Sequence, residues 1–81
     1  MDIDKILLEQ DIDYEDVKDF LEEDNEDIYY KILSNVSKFT ESDAKVVCKR
    51  IIDRSKSREL IDRACMEIIT FIPYDYNYYK K

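Results

Sequence analysis

Residues 41–72 read ESDAKVVCKRIIDRSKSRELIDRACMEIITFI, and the spacing of their apolar side chains decides the fold class. Ala44, Val47, Cys48, Ile51 and Ile52 recur at steps of three and four, as do Leu60, Ile61, Ala64, Cys65, Ile68, Ile69 and Ile72. An α-helix turns every ~3.6 residues, so each set lines up as one apolar stripe. The two stripes cannot belong to one straight helix. The step from Ile51 to Leu60 is about two and a half turns, which places the stripes on opposite sides of a rod. A break near Arg54-Ser55-Lys56-Ser57 returns both to a common core and puts serines where they cap the second helix. Pro73 then stops that helix, because it has no N–H to donate.

Working towards the N-terminus, Thr40 and Asp43 resemble a capping box, with aspartate where glutamate is usual. Residues 37–40 form a short break. Before it, Ile28, Tyr29, Ile32, Leu33 and Val36 form a third helical stripe. Glu22 to Asn25 separate that helix from a second, capped by Asp13, in which Tyr14, Val17, Phe20 and Leu21 share a face. A first short helix is expected from Ile3 to Glu9, with Asp2 as cap and Ile3, Ile6, Leu7 and Leu8 on its apolar side. Gln10, Asp11 and Ile12 make the connection. The expected architecture is all-α: a compact bundle of about five short helices, with residues 1–73 as one domain and 74–81 as a tyrosine-rich tail. The expected core is Ile6, Leu7, Val17, Phe20, Leu21, Ile28, Ile32, Leu33, Val36, Val47, Ile51, Ile61, Ala64, Cys65 and Ile68.

Composition supports this class. The chain has 81 residues, no glycine and one proline. Tight hairpin turns favour glycine or asparagine, which together are scarce, and glycine-rich phosphate loops have no glycine to form them. No run approaches the ~20 apolar residues that span a bilayer. The acidic start Met1-Asp2-Ile3-Asp4 is unlike a signal peptide. A cytoplasmic, non-secreted protein with no membrane contact is expected. Two distant cysteines fit a reducing compartment, and are read as small core residues that let two helices approach. The preference for Ile, Asp, Lys, Tyr and Asn matches AT-rich codons and suggests a viral, phage or AT-rich microbial source.

Histidine is absent. That removes Ser-His and Cys-His dyads and imidazole metal sites. No catalytic, cofactor or metal residues are expected. Asp11, Asp13, Glu15, Asp19 and Glu22 match ligand positions of a calcium loop, but Asp16 stands where glycine makes the turn, and Lys18 where an apolar residue belongs. The same residues read better as the acidic start of a capped helix.

Charge is the most informative remaining feature. Residues 1–44 hold fifteen acids and four bases, and residues 45–81 nine bases and five acids, giving nets of −11 and +4. Two surfaces follow. The acidic face of the second helix, Asp13, Asp16, Asp19, Glu22 and Glu23, would steer a cationic protein partner. The basic residues around the hairpin, Lys49, Arg50, Arg54, Lys56 and Arg58, would meet phosphates if helices four and five act as a helix-turn-helix. The chain's overall acidity opposes that second use. Tyr29 is expected in the core. Tyr30 and the tail tyrosines favour an interface with a protein or a second copy of the chain, so a homodimer is also considered. The leading expectation is a non-catalytic protein-interaction module, of the kind found among small viral or phage regulators and adaptors. Nucleic-acid binding is the alternative.

Overall fold

The computed structural model describes residues 2–70. Among them, α1 spans Ile3–Ile6, α2 Tyr14–Leu21, α3 Glu26–Ser34, α4 Glu41–Arg54 and α5 Arg58–Thr70, with a 3-10 turn at Val36–Lys38. The all-α bundle expected from the sequence is what forms. The helix stop at Pro73 and the tail 74–81 lie outside the described residues.

Each helix begins at a side chain suited to the task. Asp2 accepts from the Asp4 N–H, and Asn25 accepts from the N–H groups of Asp27 and Ile28. Thr40 accepts from Asp43 N–H, and Ser57 from Leu60 N–H. Such caps satisfy backbone donors that have no partner within the helix, and are each worth about 1 kcal/mol. At α2, the Asp16 carboxylate reaches back to the Asp13 N–H at 3.1 Å. Asp43 behaves differently from the capping-box expectation. Its carboxylate accepts from Tyr14 N–H at 3.3 Å, so α4 helps to cap α2.

The longest helices form the central pair. α4 packs against both α5 and α2, α3 against α5 and α2, and α1 against α2. Val17, Leu21, Ile32, Ala44, Val47, Cys48, Ile51 and Ala64 are fully buried where these elements meet. Burying one large aliphatic side chain contributes about 1.5–3 kcal/mol, so this cluster is the main source of stability.

Several core assignments change. Ile12 and Phe39 lie in connections yet are buried. Ile12 N–H donates to the Lys38 carbonyl at 3.1 Å, and the Lys38 ammonium donates to the Leu7 carbonyl. The α1–α2 connection is thus stitched to the α3–α4 connection. That stitching also explains why α1 ends early. After Ile6 the chain tightens through i→i+3 bonds, Leu8 N–H to Lys5 and Glu9 N–H to Ile6, and then turns Ile12 inward. Leu8, expected on the apolar side, is left 81% exposed. Cys65 was expected in the core and is exposed. Leu60 and Ala64 point α5 at its neighbours, and Cys65 lies about 100° further round the helix, beyond the contact. Ile61 and Ile68 are half-buried for the same reason.

Candidate interaction site

The acidic residues of α2 divide into two groups. Asp16, Asp19 and Glu23 gather with Glu15 around a shallow groove of about 490 Å³, whose apolar floor is Ile6 and Phe20. An adjoining depression of about 460 Å³ shares Ile6 and Asp16 and continues to Lys5 and Glu9. The acids line one continuous furrow between α1 and α2. Phe20 is half-buried there, packed on the core from one side. Asp13 stands outside these linings as the N-cap of α2. Tyr14–Leu21 is helical, so most of the stretch 11–22 is helix, and Glu15 and Asp19 sit on it while Asp11 and Asp13 precede it and Glu22 caps its end. No group of three potential metal ligands occurs among the described residues.

Glu22 faces the other way. Its carboxylate meets Arg50 at 2.6 Å and Arg54 at 3.5 Å. Arg54 also reaches Asp24 at 3.2 Å and the Glu22 carbonyl at 2.7 Å. The two surfaces expected from the sequence therefore touch, and neutralise each other where they meet. Exposed ion pairs contribute at most about 1 kcal/mol each. Here they do more for placement than for stability, because they tie the α2–α3 turn to the C-terminal end of α4.

A reciprocal tie lies beside it. Glu26, in the first turn of α3, accepts from Ser55 Oγ at 2.8 Å and from Lys56 N–H at 2.7 Å. Ser55 is the C-cap of α4 and is buried. The turn between α4 and α5 is thereby held by an acid from the other half of the chain. Sequence reasoning missed Glu26, since no spacing rule links residues about thirty apart.

The basic candidates are accordingly scattered in role. Arg50 and Arg54 belong to the α2 contact. Arg58 pairs with Asp62 at 3.1 Å along α5. Lys56 contributes its backbone N–H to Glu26, and its side chain is exposed. Lys49 borders a shallow depression with Tyr14, Val46, Arg50 and Asp53. The exposed start of α5 carries Glu59 and Asp62 beside Arg58, so it does not present a cationic face.

No family model, no curated protein and no solved structure matches the chain. Among the described residues, no helix is long and apolar enough to cross a membrane.

Proposed function

We propose that this chain is a non-catalytic protein-interaction module whose contact surface is the α1–α2 furrow, and whose partner is a basic protein segment. The observation that carries this is the furrow's make-up. Ile6 and Phe20 form an apolar floor, and Glu15, Asp16, Asp19 and Glu23 form an acidic rim. An apolar floor supplies affinity through burial, and a predominantly acidic rim, with Lys5 at its far end, supplies steering and register. A lysine- or arginine-rich segment with one apolar anchor fits both. A regulator or adaptor role, viral or phage in origin, is the setting that the composition suggests for such a module.

The test is fluorescence anisotropy with a labelled basic peptide that carries a single leucine. Asp19→Asn combined with Glu23→Gln leaves the α2 cap and the Glu22 pairs in place. It is expected to weaken binding about tenfold at low salt and to flatten its salt dependence. Equal affinity for the double variant would remove the acidic furrow as the site.

Nucleic-acid binding through the hairpin would draw on Lys49, Arg50, Arg54, Lys56 and Arg58. Lys49 and Lys56 are exposed, but each of the three arginines already lies against a carboxylate of its own chain. Duplex and single-stranded DNA and RNA are therefore expected to show no binding at low salt, where attraction is strongest. Micromolar binding that falls steeply with added salt would reverse this ranking.

A further inference from the structure

On the other side of α1, the segment just past its end and the neighbouring face of α3 carry apolar side chains that the described fold leaves uncovered. Leu7 turns inward, but its neighbour Leu8 is 81% exposed and Tyr30, on α3, is 50% exposed. Both border a groove of about 420 Å³ whose wall also includes Leu7, Lys31 and Lys38. Ligand-binding clefts begin at about 300 Å³, so the groove has room for one bulky side chain. Single exposed apolar residues are ordinary, but these two share one concavity.

The charge around this groove is opposite to that of the chain. The protein has a net charge of −7, yet this lip carries Lys31, Lys38 and, over the Tyr30 ring at 4.9 Å, Arg63. The wall's acid, Asp4, bridges to Lys31 at 3.0 Å. Lys38 directs its ammonium at the Leu7 carbonyl, a neutral acceptor that leaves its positive field in place. Arg63 lies on an aromatic face, which holds the guanidinium without cancelling its charge. The local balance is thus positive around an apolar wall.

We propose that this α1–α3 groove docks an acidic segment of a partner protein, which places one aromatic or branched aliphatic side chain between Leu8 and Tyr30. Its flanking carboxylates face Lys38 and Arg63. A basic segment is repelled here and an acidic one is repelled at the α1–α2 furrow. The two surfaces on either side of α1 therefore select partners of opposite charge, and one chain can join them.

The test is an NMR titration of the isotopically labelled full chain with a short acidic peptide that has one central phenylalanine. Backbone shifts are expected at Leu8, Tyr30, Ser34 and Lys38, with little change along α2. Exchanging the peptide's phenylalanine for alanine, or its acids for lysines, is expected to abolish those shifts. Leu8→Ala removes a side chain that the fold does not bury, so the helical signal should persist while affinity falls about tenfold. Four outcomes overturn the proposal: shifts confined to α2, equal binding of the lysine-substituted peptide, no shift in a folded sample, or a free protein that sediments as a dimer with Leu8 and Tyr30 protected. The last would make a second copy the occupant.

Discussion

Replacing Tyr29 with alanine is expected to lower the stability of this domain by about 3–5 kcal/mol. Small domains have about 5–15 kcal/mol in total, so much of the folded population is at risk. Tyr29 is the largest of the fully buried side chains. Its ring fills the space beneath the α2–α3 turn, and its hydroxyl donates to the carbonyls of Leu21, at 3.2 Å, and Glu23. Alanine leaves a cavity and also abandons both carbonyls. Tyr29→Phe separates the two effects. It keeps the ring and loses the hydroxyl, and should cost about 1–2 kcal/mol. Urea titrations followed by far-ultraviolet circular dichroism measure both. A loss under about 1 kcal/mol for the alanine variant would mean that the turn is not organised around this ring. The same turn carries Glu22, Asp24 and their arginine partners, so Tyr29→Ala should also release Arg50 and Arg54.

Most of the helical architecture was legible because its signals are local. The apolar steps of α2 to α5 are periodic, and Asp13, Thr40 and Ser57 stand where caps are needed. The phase conflict between Ile51 and Leu60 located the α4–α5 break, which occurs at residues 55–57. Ile12 and Phe39 escaped because an isolated apolar residue in a connection has no period to reveal which way it points. Cys65 was misplaced because a stripe read from sequence is wider than the strip that a neighbour covers. Ala64 lies inside that strip and Cys65 outside it.

The candidate surfaces were legible in sign but not in partnership. Rules for charged pairs reach three or four residues along one helix, and they suit Arg58 with Asp62 and Lys18 with Glu15. They are blind to Glu22 with Arg50, Glu26 with the α4–α5 turn, and Arg63 over Tyr30. The strongest polarity of the sequence, an acidic first half and a basic second half, is partly a folding device. Acids at the α2–α3 turn and bases near the end of α4 meet across the bundle. What this leaves for recognition is the acidic rim of the α1–α2 furrow, where Asp19 and Glu23 stand beside the Lys18-paired Glu15, and the cationic lip beside Leu8.

Raising the pH through 9 to 11 is expected to destabilise the protein by about 2–3 kcal/mol through Cys48 alone. Burial pushes this thiol from 9.0 up to about 11, with smaller contributions in the same direction from Glu67 and Cys65. In the unfolded chain the thiol loses its proton near 9, whereas in the folded chain it keeps it until about 11. The unfolded state therefore binds fewer protons across that window, and folding stability falls as pH rises. Below about 9 both states are protonated and the contribution is intact. Tyrosines and lysines titrate nearby, so the measurement is a difference. Urea midpoints of the wild type and of Cys48→Ala are compared from pH 8 to 11. The variant should lie below the wild type at pH 8, because a core side chain has been shortened, and the gap should close or reverse by pH 11. A constant gap would show that the thiol ionises equally well in both states, and that the α4–α5 contact admits water. A thiol reagent gives an independent check at pH 8. Exposed Cys65 should react at once, and Cys48 only as fast as the α4–α5 pair opens.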